Sequence, residues 1–304
     1  MEDKKEKPTS TNINWYPGHM AKTKKQIIED LKLIDIVIEI VDARIPISSQ
    51  NPDIKENIKG KKKIIVLNKS DLADEKETNK WVKYFESKKI NAVITDSNTG
   101  KGINDVVTAI KKISKEDEEK YINKGRVGKA TRVLVLGIPN VGKSSFINRI
   151  SKKSSAQVGN KPGVTRQKQW IRLSDGIELM DTPGVLWPKF QTEEIALNLA
   201  YTGTIKDDIL EKTEIAFQLL KYLLSEYRDK ILERYKIEND EFDSIFNEDI
   251  EENEKIYEIM KMIAKKRGAI LSGGRIDDEK ISGIILDEFR SGKFGKITLE
   301  KVGK

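Results

Sequence analysis

The sequence has no cysteine and a single histidine, His19. The missing thiols exclude disulfides and thiolate metal centres, and one imidazole argues against a conventional zinc site. Long apolar runs are missing too: none approaches the ~18 residues of a membrane-spanning helix. The N-terminus is charged from Glu2 to Lys7 and has no apolar signal region, so a cytoplasmic location without membrane attachment is expected. No internal repeat is evident. What is present in excess is basic charge, 56 Lys and Arg against 49 Asp and Glu for a net +7, which favours an anionic partner without identifying it. A length of 304 residues suits about two domains.

The chemistry is concentrated in short motifs, each at the end of an apolar run. Gly137-Ile138-Pro139-Asn140-Val141-Gly142-Lys143-Ser144 fits the phosphate-loop pattern, preceded by Val133-Leu134-Val135-Leu136 and followed by Ser145-Phe146-Ile147-Asn148. A strand, a glycine turn and a helix N-terminus in that order aim backbone N–H groups at phosphate. Lys143 then reaches the β and γ phosphates, and the Ser144 hydroxyl holds Mg²⁺. Asn68-Lys69-Ser70-Asp71 ends the run Ile64-Ile65-Val66-Leu67, where doubly wound sheets bind ligands. The Asp71 carboxylate can accept from guanine N1–H and the exocyclic amine together, whereas adenine leaves it unpaired, which opposes an ATPase. Asn68 is expected to orient the loop and contact the base edge, with the Lys69 stem over the base face.

Asp181-Thr182-Pro183-Gly184 closes Ile177-Glu178-Leu179-Met180. Asp181 is the expected Mg²⁺-site carboxylate and the Gly184 N–H a γ-phosphate sensor. Thr165, between the phosphate-loop helix and the next strand, can join the Mg²⁺ shell when γ-phosphate is present. The turn Asp96-Ser97-Asn98-Thr99-Gly100 could present a backbone N–H to guanine O6, although ordinary turn chemistry at Ser97 explains it equally well. Asn140 offers a side-chain oxygen to K⁺, which would stabilise charge where an arginine otherwise acts.

The order of these motifs is the most specific feature. Both base loops precede the phosphate loop, a rotation of the usual GTP-binding order. Domain termini commonly lie close together, so such a rotation preserves the sheet. The charged, helix-prone stretch Lys111 to Lys129 is where the rotated halves would join. The rotation makes Asp181-Thr182-Pro183-Gly184 lead directly into the C-terminal third of the chain, so γ-phosphate-dependent movement could reach a C-terminal domain.

These residues resemble the circularly permuted GTPases, most closely the bacterial ribosome biogenesis GTPase A family. The likeness extends to Trp15-Tyr16-Pro17-Gly18-His19-Met20, to Asp42-Ala43-Arg44-Ile45-Pro46 with Ser48, Ser49, Asn51 and Pro52, and to the C-terminal run from Phe289 to Glu300. The resemblance implies a GTPase that binds GTP and GDP and associates with the large ribosomal subunit and its RNA late in assembly, with no DNA partner. It also implies a functional histidine at His19. Many GTPases position the attacking water with a glutamine just after Asp-x-x-Gly, but Val185 and Leu186 stand there. His19 is the candidate catalytic group, on a turn shaped by Pro17 and Gly18, with a surface or RNA-contacting role as the alternative.

The resemblance also gives meaning to the charge pattern. Residues 238–254 contain nine acids and no Lys or Arg, whereas Lys265, Lys266, Arg267 and Arg275 follow. Charge patterning alone favours a solvated helix face; with the family likeness these four become RNA-contact candidates. Lys22, Lys24 and Lys25 form a smaller candidate patch. Strand-like runs near 34–42, 62–67, 91–95, 131–136, 168–173 and 177–181 alternate with helical ones, predicting an α/β GTPase domain over residues 1–206 with a mostly parallel sheet. A smaller α-helical domain is expected over 207–304, with one further strand at Lys296-Ile297-Thr298-Leu299. Two functions remain open: an assembly GTPase stimulated by the large subunit, or a nucleotide-gated RNA-binding protein with negligible turnover.

Overall fold

A computed structural model describes residues 18–58, 60–122, 130–153, 169–173, 176–187, 190–205 and 211–303. Six strands form one sheet: β1 Ile36–Asp42, β2 Lys62–Asn68, β3 Asn91–Ile94, β4 Thr131–Gly137, β5 Gln169–Arg172 and β6 Ile177–Asp181. Their order is β3-β2-β1-β4-β6-β5. β5 alone runs antiparallel, against β6. β1, at the centre, is buried along its whole length, which is why Ile36-Val37-Ile38-Glu39-Ile40-Val41 reads as a nearly continuous apolar run.

The chain fills one side of β1 with β2 and β3, then crosses to the other side for β4 and β6. Doubly wound sheets open a ligand crevice at such a reversal, at the C-terminal strand ends. The register brings those ends level: Asp42 pairs with Asn68, Ile40 with Gly137 and Val135 with Asp181. The helix Ile103–Ile122 occupies the start of the stretch joining the rotated halves.

The helix Gly18–Asp30 lays Ile27 against one face of the sheet, in a buried cluster with Val37, Leu134, Leu136, Met180 and Val185. His19 therefore belongs to the first turn of a helix rather than to the bend expected from Pro17 and Gly18. The helices Lys212–Glu226 and Glu252–Arg267 bury Leu219, Leu223, Ile259 and Ile263, as their 3.6-residue apolar spacing requires. These residues share one continuous hydrophobic cluster with Ile38, Ile40, Val135 and Trp187 of the sheet side. The boundary expected near Asp207 lies outside the described residues.

Lys296-Ile297-Thr298-Leu299 is not a strand. Its apolar residues are buried, but its backbone bonds reach loops: Ile297 N–H donates to the Leu72 carbonyl at 2.9 Å and Leu299 N–H to the Arg44 carbonyl at 2.9 Å. Three consecutive buried residues, Ile297, Thr298 and Leu299, reflect docking onto the sheet domain, not membership of a sheet.

Candidate nucleotide site

A cleft of about 640 Å³ opens at the C-terminal strand ends, walled by Asn68, Lys69, Asp96, Ser97, Asn140, Gly142, Lys143, Ser144, Ser145, Gly184 and Arg290, among others. The structure thus brings together motifs spread over more than a hundred residues. Asn68 ties them. Its amide nitrogen donates to the Val141 carbonyl at 2.8 Å. Its oxygen accepts from the Ser97 hydroxyl at 2.7 Å, the Ser97 N–H at 3.1 Å and the Thr95 hydroxyl at 3.1 Å. Asn68 is a buried strut joining both base loops to the phosphate loop, which is the loop-orienting role expected of it. The Ser97 N–H, considered for guanine O6, is likewise engaged with Asn68.

The strut dictates a glycine. Gly142 has φ +89°, and a Cβ there would stand 2.4 Å from Asn68 Nδ2. On the far side, Arg149 of the helix Lys143–Lys153 donates through Nε to the Ser97 carbonyl at 3.3 Å and through Nη2 to the Asn98 carbonyl. The second base loop is therefore held from the phosphate-loop helix as well. Within it, burial acts to raise the Asp96 pKa, but the Thr99 hydroxyl and the N–H groups of Asn98 and Thr99 prevail and lower it.

Lys143 Nζ sits 2.6 Å from Asp181 Oδ1, with both side chains buried. The lysine charge is thus met by the carboxylate expected beside Mg²⁺. Ser144 and Ser145 are exposed at the start of their helix, where N–H groups and the dipole favour an anion. A serine hydroxyl and a carboxylate are hard oxygen donors, and Mg²⁺ bound mainly by phosphate oxygens and water needs no larger protein cage. No cluster of three or more His, Asp or Glu suited to a metal occurs among the described residues.

Gly184 packs against the phosphate loop, since a Cβ would meet Pro139 N at 3.1 Å. After it, Val185, Leu186 and Trp187 are buried, so the position of the usual glutamine is filled by core. Thr182 Oγ1 anchors the motif to the Val135 carbonyl at 2.8 Å. Asn51 Nδ2 holds the Val185 carbonyl at 2.8 Å. Thr165 lies outside the described residues, as do Trp15, Tyr16 and Pro17.

Asp71, between the wall residues Lys69 and Leu72, is an exposed residue at the rim. Partial burial of its carboxyl, then the negative charge of Asp96, raise its pKa. Lys69 has φ 60°, and its ammonium lies 3.1 Å from Asp42 Oδ2. Asp42 also receives the Arg44 guanidinium at 2.8 and 3.0 Å. Burial would raise the Asp42 pKa, yet Arg44 and Lys69 hold it well below the usual carboxylate range.

The Asp42-to-Asn51 loop, recognised in the sequence only as a family mark, is a socket. Arg44 lies over the Phe289 ring, 5.2 Å from its centre. Glu300 enters between Ile47 N–H at 2.6 Å and Ser48 N–H at 2.8 Å, and also accepts from the Ser48 hydroxyl. Trp81 Nε1 donates to the Glu300 carbonyl at 2.9 Å. No local signal could have paired residues 252 apart in the chain; the clue was that both runs belong to one family pattern. Asn140, the K⁺ candidate, donates through its amide nitrogen to the Gly203 carbonyl at 2.5 Å.

The four RNA-contact candidates do not form a single uncommitted patch. Lys266 donates to the Lys236 carbonyl at 2.6 Å and lies 3.2 Å from Glu241. Arg267 pairs with Glu288 at 3.0 Å and covers the Tyr235 ring. Lys265 and Arg275 are exposed, as are Lys22 and Lys25. No helix among the described residues is long and apolar enough to cross a membrane.

A family model described as 50S ribosome-binding GTPase matches residues 132–261. Ribosome biogenesis GTPase A of Bacillus cereus is 44% identical over 288 residues, covering 95% of this chain and 93% of that protein. The Thermotoga maritima protein of the same name is 32% identical over 292 residues, covering 95% and 94%. Among solved structures, GNP-bound YlqF from T. maritima matches with a TM-score of 0.62 and 27% identity, covering 92% of this chain and 98% of that one.

Proposed function

The chain belongs to the ribosome biogenesis GTPase A family, and from that premise we propose that it is a GTP-hydrolysing ribosome assembly factor acting late in maturation of the large subunit. The observation that carries the reading is the cleft that Asn68, Lys143, Ser144 and Gly184 line together, with Asp181 paired to Lys143 and Asp71 exposed beside the wall residues Lys69 and Leu72. In this proposal Asp71 selects guanine, Lys143 exchanges Asp181 for the β and γ phosphates, and Ser144 and Asp181 hold Mg²⁺, with Thr165 joining when γ-phosphate is present. Mg²⁺ supplies neutralisation of charge developing on the transferred phosphoryl oxygens. The Gly184 N–H reads γ-phosphate. The oxygen of the Asn140 amide holds K⁺, its nitrogen being committed to Gly203. The domain division at 206/207, a cytoplasmic location and RNA contact through Lys265 and Arg275 belong to the same proposal.

With Val185 and Leu186 unable to bond water, His19 is assigned the water-orienting role, in the first turn of a helix that packs beside Met180 and Val185. An imidazole acting on water contributes mainly in the transition state, typically 10²- to 10⁴-fold for acid–base catalysis. The test is GTP turnover with and without large ribosomal subunits, in K⁺ and in Na⁺, for the wild type and His19→Ala. The proposal expects subunit-stimulated turnover that falls about 100-fold in the variant while GTP affinity stays near wild type. Undiminished stimulated turnover eliminates the role. A variant that only fails to bind the subunit moves His19 to the RNA interface. No turnover by the wild type under any condition favours the nucleotide-gated binding protein.

A further inference from the structure

We propose that Asn51 is a positioning residue for the γ-phosphate sensor, its side-chain amide fixing the backbone just after Gly184, an inference that rests on reading the cleft as the GTP site. Gly184 lines the cleft and lies between two anchored residues. Before it, Thr182 Oγ1 donates to the Val135 carbonyl of β4 at 2.8 Å. After it, the Val185 carbonyl accepts from Asn51 Nδ2 at 2.8 Å, a bond between residues 134 apart in the chain. Thr182, Val185 and Asn51 are all buried. Both bonds are therefore shielded from water, and a Gly184 N–H that reads γ-phosphate is held in place from either side.

Asn51 is itself held from the centre of the sheet. Its N–H donates to Glu39 Oε1 at 3.1 Å, and Glu39, buried within β1, meets Lys63 of β2 at 2.5 Å through its other oxygen. A buried ion pair carries a desolvation penalty and gives a core little that an apolar pair would not. What this pair supplies is a fixed acceptor for Asn51. Asn51 Oδ1 accepts from the Asp53 N–H at 3.0 Å and so caps the helix Pro52–Asn57. The cap alone does not call for asparagine, since Asp, Ser and Thr also serve there. Among these, only the asparagine amide carries an acceptor and a donor on separate atoms, and the donor is the atom bonded to Val185. The same loop receives Glu300 at Ser48, so one loop holds both the sensor segment and the C-terminal tail.

The test uses the full chain with Asn51→Ser, whose hydroxyl can still cap the helix but is too short to reach Val185, and Asn51→Asp, which keeps the shape and the acceptor but loses the donor. GDP and a non-hydrolysable GTP analogue are titrated against each, with thermal melts alongside. Should the Asp variant fail to fold with a second carboxylate beside Glu39, the Ser variant decides alone. The expected result is analogue affinity about tenfold below wild type, the scale of one buried hydrogen bond, with GDP affinity changed by no more than about twofold because GDP has no γ-phosphate to read. An unchanged or tightened analogue affinity overturns the proposal. So does a proportionate loss of both nucleotides that tracks the melting temperature, since that pattern belongs to a structural cap. A wild-type chain that binds neither nucleotide would instead remove the nucleotide-site reading itself, and this role with it.

Discussion

At the residue scale, the site separates groups held for the fold from groups held for the ligand. Asp71 is of the second kind: partial burial and the Asp96 charge raise its pKa, and guanine would supply the two donors that stabilise the ionised form. In the free protein this raised value adds stability below the unfolded pKa, and that contribution is lost as pH rises through the folded value. For the nucleotide the sign reverses, because only the carboxylate accepts from N1–H and the amine. GTP affinity should therefore decline on acidification from a pH above the ordinary carboxylate value of 3.8. Asp71→Asn should weaken GTP on the order of 100-fold and shift preference towards xanthine nucleotides, whose C2 carbonyl replaces the amine. Paired GTP and XTP titrations check this; unchanged GTP affinity in the variant would remove Asp71 from the base site.

Lys143 and Ser144, adjacent in sequence, should behave differently. Lys143 is buried against Asp181, so Lys143→Ala weakens a buried pair and should lower stability by up to about 3 kcal/mol as well as triphosphate affinity. Ser144 is exposed in the cleft, so Ser144→Ala should lose Mg²⁺-dependent binding with a melting temperature near wild type. Equal melts for the two variants would contradict the buried-pair account. The motif pattern singles out both residues for phosphate and Mg²⁺, and both line the cleft, but burial and partner come only from the fold. The same limit explains Asn68: its motif announces a nucleotide loop, and only the three-dimensional arrangement shows that every polar atom of its side chain is used internally.

At the element scale, β1, β2 and β4 are legible because parallel strands covered on both faces leave long apolar runs, and β6, Ile177-Glu178-Leu179-Met180-Asp181, is legible chiefly because it ends in its motif. Lys296 to Leu299 alternates polar and apolar residues in sequence yet buries Ile297, Thr298 and Leu299 together and docks on loops, since a sequence pattern does not record what covers a residue. The Glu300 latch tests this docking. Burial raises the Glu300 pKa against the opposing hydrogen bonds from Ser48 and Ile47. Its folded value lies above the unfolded one, so its contribution to stability is present below the unfolded pKa and lost as pH rises through the folded pKa. Glu300→Gln avoids the ionisation cost near neutral pH. Its melting temperature relative to wild type should be highest there and fall as pH drops towards 4.5, the ordinary glutamate value. A difference that does not vary with pH would mean the latch carries an ordinary carboxylate.

At the scale of the whole molecule, the contacts that fasten the nucleotide loops to the helical region include Ile297 on Leu72, Glu300 in the Ser48 socket, and Arg290 on the turn that also receives Asn140. The first and last of these reach the base and phosphate loops that line the cleft, so the proposed switch would have a physical route from γ-phosphate to the helical region that does not depend on the Gly184 segment alone. A ligand shifts such an equilibrium only by its differential affinity for the two arrangements. A non-hydrolysable GTP analogue should accordingly tighten binding to large ribosomal subunits over GDP by about 1–3 kcal/mol. Since Lys266 and Arg267 spend their charge within the chain, neutralising exposed Lys265 and Arg275 should reduce the salt slope by about one for each phosphate no longer neutralised and weaken both nucleotide states alike. Co-sedimentation across nucleotide states and salt concentrations reads both effects. Equal affinity for the GDP and analogue forms would contradict the switch, and a salt slope unmoved by the double substitution would shift the RNA interface to the exposed Lys22 and Lys25 of the first helix.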